Sequence, residues 1–258
     1  MNDKNHYLVW SEVIKQDVVQ LQGIPGSNIS ILGATQFIYL HQFMTQGKQR
    51  DLKQNNQYVY FAFATGTEEL IKQELELLEK IIKTLSLKIP GINFQVRPYP
   101  FVRDWAVYEK LKKYSNVYLE DEYRVSSENY TVLPEEYHNK YDRINNALLF
   151  LHFGTTLAIE AAQLNVPVFL GDMAEDFKLG NLHNFIHQYQ NDKYLNITAY
   201  PNVCKSIDQL CNNVINLQKF NHQYYAYNSE VKKIALPQSL DLIRDRLINI
   251  FKDSIALN

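Results

Sequence analysis

The sequence predicts an α/β protein: a Rossmann-like parallel sheet with helices on both faces. Three observations predict it. Apolar, β-forming runs such as Tyr58–Ala64 and Ala147–Phe153 are too continuous for strands with one wet face. Helical periods separate them, as right-handed crossovers between parallel strands require. Several strands run directly into turns of Gly and Thr that open helices, at Thr65-Gly66-Thr67 and Gly154-Thr155-Thr156.

The elements follow in order. Tyr7–Trp10 reads as a short strand, and Ser11 as the N-cap of a helix with Glu12 in its first turn. Val13, Ile14, Val18 and Leu21 supply its apolar side, and Gly23, Pro25 and Gly26 end it. Ile29–Leu32 is a strand closed by Gly33. Residues 42–57 are polar and rich in Gln and Lys without apolar period, which reads as a linker. The expected division is therefore a strand–helix–strand segment at 1–54 and a larger domain at 55–258.

Tyr58–Ala64 begins that domain, and Thr67 is expected to cap a helix running to about Leu87, stopped by Pro90-Gly91. Ile92–Val96 is the next strand, ended by Arg97-Pro98-Tyr99-Pro100. Asp104 starts a helix reaching Tyr114, and Val117–Leu119 is another strand. Pro134 starts a helix. Ala147–Phe153, a helix opening on Thr155 and Thr156, and a strand at Val166–Leu170 complete the central stretch. Leu182–Tyr189 and Ser206–Leu217 read as helices, and Pro237 or Ser239 opens the last one.

Composition bounds the function. With 46% hydrophobic and 21% charged residues and a net charge of −2, nothing calls for nucleic acid or an anionic membrane as partner. No apolar run is long enough to span a bilayer, so a cytoplasmic protein is expected. Cys204 and Cys211 fall in what reads as one amphipathic helix, too far apart for a disulfide and unlike a metal motif. Buried or half-buried thiols are expected, and no metal. Tyr224, Tyr225 and Tyr227 cluster without period, which reads as surface packing.

In open parallel sheets ligands sit outside the carboxyl ends of strands, so the chemistry should lie just after them. Gly154, Thr155 and Thr156 could hold a diphosphate with backbone N–H groups and hydroxyls, or could be an ordinary Gly turn with a Thr cap. Glu160, one turn into that helix among Ala158, Ile159, Ala161 and Ala162, needs a pocket or a partner. A ribose diol would suit its carboxylate; a helix-paired or solvent-facing Glu is the alternative. Arg97 could hold a phosphate bidentately or pair with Asp104 or Glu120, and Arg103 is a weaker choice.

Thr65 and Gly66 lie in a second turn of the same kind. Asp172, Asp176, Asn181 and His183 could bind sugar hydroxyls, Asp172 also being a weak catalytic candidate. His152 is the other, though a buried histidine bonded to backbone is the simpler expectation. Glu120, Asp121 and Tyr123 could read a base. No Walker-type G-K-[ST] and no G-x-S-x-G occurs, which argues against P-loop phosphoryl transfer and α/β-hydrolase chemistry.

Taken together, these segments resemble the C-terminal half of a GT-B glycosyltransferase, with relatives among UDP-GlcNAc 2-epimerases. His152-Phe-Gly-Thr-Thr-Leu-Ala-Ile-Glu-Ala-Ala-Gln-Leu-Asn-Val-Pro-Val168 is similar to the family's turn, helix with a ribose-binding Glu, and following Pro. Arg97-Pro-Tyr-Pro100 resembles an R-x-H-P motif, with Tyr99 where His is usual, so a role for that His has no carrier here. Asn165 stands where Gly is usual, tolerable because Asn accepts positive φ.

The resemblance implies transfer of a sugar from a nucleotide-activated donor to a glycan or lipid-linked acceptor in surface polysaccharide synthesis, without metal or other cofactor. Arg97, Thr155 and Thr156 would offset the leaving diphosphate and Glu160 would anchor the ribose. Only a short segment precedes the linker, whereas such enzymes carry a full acceptor domain. The resemblance therefore implies a fragment or one subunit of a split enzyme, its base supplied by the other part, with attachment at the inner membrane face as an option. An epimerase, or a nucleotide-sugar-binding subunit without turnover, are the rival expectations.

Overall fold

The computed structural model describes residues 5–47, 58–100, 104–123, 133–173, 192–217 and 221–256. The chain forms two compact units, one of residues 1–49, 133–141 and 230–258, the other of 50–132 and 142–229. The boundary near 54 read from sequence divides the chain differently, because periodicity shows where an element lies and not which distant segment packs on it.

In the first unit β1 (Tyr7–Val9) pairs in parallel with β2 (Ile29–Ile31), Val9 opposite Ile31. Between them α1 (Glu12–Gln22) starts where Ser11 Oγ accepts the Ile14 N–H and ends at Gly23, which is left-handed with φ 66°. Val9, Ile24 and Ile29 form a small core, with Tyr7, Ile14, Val18 and Ile31 packed on it. Gly33 is also left-handed (φ 91°), and a Cβ there would come within 2.4 Å of the Gln238 side chain.

A helix, α2 (Ile38–Thr45), then occupies part of the expected linker. Its buried Leu40 and Phe43 are the reason: two apolar residues three apart suffice for a short helix with one covered side. Residues 48–57 lie outside the described part. The last helix, α10 by our numbering (Leu240–Ala256), opens where Ser239 Oγ accepts the Leu242 N–H, so Ser239 and not Pro237 is its cap.

The second unit is built on six parallel strands, β3 (Tyr58–Ala62), β4 (Asn93–Arg97), β5 (Val117–Leu119), β6 (Leu149–His152), β7 (Val168–Gly171) and β8 (Val203–Cys204). They lie in the order β5-β4-β3-β6-β7-β8. The central strands are almost wholly buried, as their unbroken apolar runs require. Helices α3 (Glu68–Lys88), α4 (Ala106–Glu109), α6 (Leu157–Gln163), α7 (Asp192–Leu195) and α8 (Ile207–Asn216) fall between strands or follow the last, while α5 (Pro134–Asn146) and α9 (Asn221–Lys232) each run from one unit into the other.

Three expectations change. Thr67 makes no side-chain cap to α3; its N–H and hydroxyl bond Thr65 Oγ1 at 3.1 and 3.2 Å. Cys204 and Cys211 do not share a helix, since Cys204 ends β8 and Cys211 lies in α8; both are buried free thiols. Tyr224 and Tyr227 are core residues of α9, Tyr224 against Phe169 at 5.0 Å and Tyr227 donating to the Leu195 carbonyl at 2.6 Å. Their phenols find backbone acceptors, which removes the cost of burying them. The helix expected at Leu182–Tyr189 lies outside the described residues. Among those described, no helix is long and apolar enough to cross a membrane.

Candidate functional site

Strand order decides where a site can form. From β3 the chain builds outward through β4 to β5, then returns to the other side of β3 as β6 and proceeds to β7 and β8. The direction of winding reverses between β3 and β6. In open parallel sheets such a reversal sends the helix connections to opposite faces, and ligands sit outside the strand ends at that point.

One row of paired residues marks that edge. Ala62 of β3 lies opposite Arg97 of β4 on one side and His152 of β6 on the other, and His152 lies opposite Leu170 of β7. The predicted residues follow directly: Thr65 and Gly66 after Ala62, Gly154 and Thr155 after His152, Asp172 after Leu170. Two turns of the same composition thus flank the reversal.

Gly154 has φ 121°, a conformation that L side chains rarely adopt. Its N–H bonds His152 Nδ1 at 3.0 Å. His152 is fully buried, and desolvation lowers its pKa to about 3, so the ring is neutral with its proton on Nε2. That Nε2 has no hydrogen-bond partner among the described residues. His152 therefore shapes the turn, in keeping with the buried, backbone-bonded histidine that was the simpler expectation.

Thr155 is buried, its Oγ1 accepting the Leu157 N–H at 3.4 Å, and Thr156 is exposed. Glu160 is buried at 8% exposure, within an α6 segment whose Ala158, Ile159, Ala161 and Ala162 have no exposure at all. On the β3 side Thr65 is buried and Gly66 half-buried.

Arg97 is engaged beneath the edge. Its Nη1 donates to Glu120 Oε2 at 3.2 Å, an oxygen that also accepts from the Tyr60 hydroxyl at 3.0 Å. Glu120 Oε1 accepts from Gln95 at 2.7 Å and meets Arg143 Nη1 at 3.4 Å. Burial first, and the Glu120 charge second, push the Tyr60 phenol well above its ordinary pKa. Glu120 has no exposure, so it cannot read a base; it is the anchor of two guanidinium groups. Asp121 is exposed and paired with Lys112. Arg97 takes the alternative weighed for it, an ion pair with Glu120, though at 15% side-chain exposure it is no surface residue.

Asp172 has 2% exposure, pairs with Lys205 and accepts from Asn196 Nδ2 at 3.1 Å. Its carboxylate is held by Lys205, just after β8, and Asn196, just after α7. Arg103, Asp176, Asn181 and His183 lie outside the described residues, and so does the side chain of Tyr123.

The residue that sequence reasoning passed over is Glu74. It is fully buried in α3, and its Oε1 accepts the Ala64 N–H at 3.1 Å, immediately before Thr65. Desolvation raises its pKa well above the ordinary carboxylate value, which favours the neutral form. The signal was present: Glu74 falls within the stripe Ile71, Leu75, Leu78, Ile81, Ile82 and Leu85.

No family model matches the sequence, and no curated protein does either. Solved structures do resemble it. The S. aureus MnaA–UDP co-structure superposes with a TM-score of 0.57 at 10% identity, over 99% of this chain and 60% of that one. UDP-GlcNAc 2-epimerase from Neisseria meningitidis bound to UDP-GlcNAc matches at 0.53 and 17% identity, over 94% of this chain and 60% of that one. A variant of the wall teichoic acid polymerase TagF matches at 0.53 and 12%, over 96% of this chain and 59% of that one.

The chain has a GT-B-like fold. It spans about 60% of the length of those structures. Within the GT-B-like sheet, the two Gly/Thr turns and the buried groups bracing them, Glu74 and His152, form the candidate site.

Proposed function

We propose that this chain binds the diphosphate of a nucleotide-activated sugar at the β3/β6 edge, as the donor-binding part of a metal-independent glycosyltransferase acting on a glycan or lipid-linked acceptor in the cytoplasm. One observation carries the reading: two turns of Gly and Thr flank the point where the winding of the sheet reverses. Short turns of this composition offer backbone N–H groups and hydroxyls without a bulky side chain in the way. Donors fixed before the reaction stabilise charge that develops on a departing diphosphate. Glu160 is the acceptor for ribose hydroxyls, and Arg97, held by Glu120, adds positive potential beneath the edge without needing to reorganise. The three structures named above support the ligand class, being a UDP complex, a UDP-GlcNAc complex and a wall teichoic acid polymerase.

The second reading is a nucleotide-sugar epimerase, supported by the Neisseria meningitidis structure. It shares the pocket and differs in the product. Calorimetry with UDP-, GDP-, CDP- and CMP-sugars tests the common part: one nucleotide class binds, and Gly154→Ala or Thr155→Val weakens it about tenfold or more. Binding of none would end both readings. Product analysis after incubation with the bound donor then separates an altered sugar from a transferred one.

A further inference from the structure

The first unit holds a cavity of about 260 Å³ that belongs to neither turn of the candidate site. Its walls come from α2 and the start of α5. Tyr39, Gln42 and Phe43 lie along one side of α2, Gln46 follows at its C-terminal cap, and Glu135 and His138 line the cavity from α5.

The apolar part is an aromatic column. Tyr39 stacks on Tyr137 with ring centroids 4.6 Å apart and planes 16° from parallel, and Tyr137 stacks on Tyr141 at 6.3 Å. Phe43 is buried, its ring edge-on to His138 at 5.2 Å and tilted against Tyr141 at 5.8 Å. Tyr39 is 36% exposed, so its ring keeps surface for a ligand.

The polar part selects the ligand. Gln42 and Gln46 are exposed amides, each offering a donor and an acceptor at one planar group. Glu135 adds an acceptor pair and His138 an imidazole, while among the described residues no Lys or Arg lines the cavity. Lys140 lies over the rings of Tyr141 and Tyr137 at 4.3 and 5.1 Å, within the aromatic column. A phosphate or carboxylate ligand would meet the Glu135 charge with no cation among the described lining residues to offset it. A hydroxyl-rich neutral ring has what the cavity asks for: hydroxyls that donate and accept at once, and a C–H face for an aromatic wall. The volume lies below the range of about 300–1,000 Å³ that holds drug-sized ligands, and fits a single ring.

We propose that this cavity binds one neutral or N-acetylated pyranose residue of a glycan, with Tyr39 as the stacking surface and Gln42, Gln46 and Glu135 as the hydroxyl partners. The proposal uses none of the residues of the donor site and stands whether or not that reading does.

Titration of the ¹⁵N-labelled full chain with the methyl glycosides of glucose and N-acetylglucosamine, followed by amide chemical shifts, tests it. The expected result is binding with a Kd on the order of 1 mM, as suits a ligand of so few atoms. Tyr39→Ala lowers the affinity about tenfold or more, the exposed pair Gln42→Leu with Gln46→Leu does the same, and saturating UDP leaves sugar binding unchanged. If Tyr39→Ala unfolds, as a thermal scan would show, the Gln pair supplies the answer alone. The proposal is overturned if neither glycoside binds, if both sets of substitutions leave binding unchanged, or if UDP displaces the sugar and so places it at the nucleotide edge.

Discussion

Glu74 accepts the Ala64 N–H at 3.1 Å from a position with no solvent exposure, tying the middle of α3 to the last residue before the Thr65 turn. The Ala64 N–H bond by itself favours the ionised carboxylate, but burial outweighs it and favours the neutral form, which still accepts. The turn is therefore shaped by a residue ten positions away whose charge state is set by its surroundings.

That arrangement has a pH signature. The folded pKa of Glu74 is raised, so between the ordinary carboxylate range and the raised value the native state holds a proton that the unfolded state releases. Stability from this group is full below the ordinary range and is lost as pH rises through the folded value. Glu74→Gln keeps an acceptor for Ala64 and removes the ionisation. Urea unfolding at pH 5 and pH 8 should show a smaller loss at high pH for the variant; identical losses would mean Glu74 is charged or solvated.

His152 carries the opposite sign. Its folded pKa is lowered to about 3, so below the ordinary histidine range the unfolded state binds a proton that the native state refuses. Its contribution is full above that range and is lost as pH falls towards 3. His152→Leu would also orphan the Gly154 N–H, costing about 1–3 kcal/mol by denaturant unfolding at pH 7, while His152→Asn, which can still accept, should cost less. Equal costs for the two would show that the bond to Gly154 is immaterial.

Glu120 joins Tyr60, Gln95, Arg97 and Arg143 with no exposure of its own. Removing one member of a buried ion pair leaves the others uncompensated, so Glu120→Leu should destabilise the fold by about 3–5 kcal/mol. Replacing Arg97 by Met in that background should recover part of the loss. A double-mutant cycle in denaturant measures the coupling, and an additive pair would show that the guanidinium finds water instead.

Gly171 ends β7 against a ring. A Cβ there would sit 2.5 Å from Cε1 and 2.8 Å from Cδ1 of Phe153, itself fully buried. Phe153 directly precedes Gly154, so displacing its ring presses on the chain beside the turn. Gly171→Ala should cost about 1–3 kcal/mol in thermal or chemical unfolding, with Phe153→Leu relieving part of it. A neutral Gly171→Ala would mean the ring has room to rotate.

Much of the fold was legible because buried parallel strands announce themselves. Tyr58–Ala62, Leu149–His152 and Val168–Gly171 are each apolar on both faces, and no other common element of that length needs this. Cap chemistry placed the starts of α1 and α8 at Ser11 and Ser206 and left Pro237 or Ser239 for α10, where the Leu242 N–H bond to Ser239 Oγ decides. The failures share one cause. Tyr224 and Tyr227 carry polar tips that suggest surface until the Asn213 and Leu195 carbonyls are brought to them. The two-residue strand β8 is too short to show a period, so Cys204 was read into the helix that follows it.

Residue type and order alone determined that strands would alternate with helices and that Gly and Thr would mark two strand ends, since these follow from backbone sterics and local burial. Only the folded chain decided that β6 lies beside β3, which sets Thr65 and Thr155 on one edge, and that Glu74 and His152 are neutral braces beneath it. Neighbours across a sheet, and the desolvation they impose, are properties of contacts between distant segments, which no local pattern encodes.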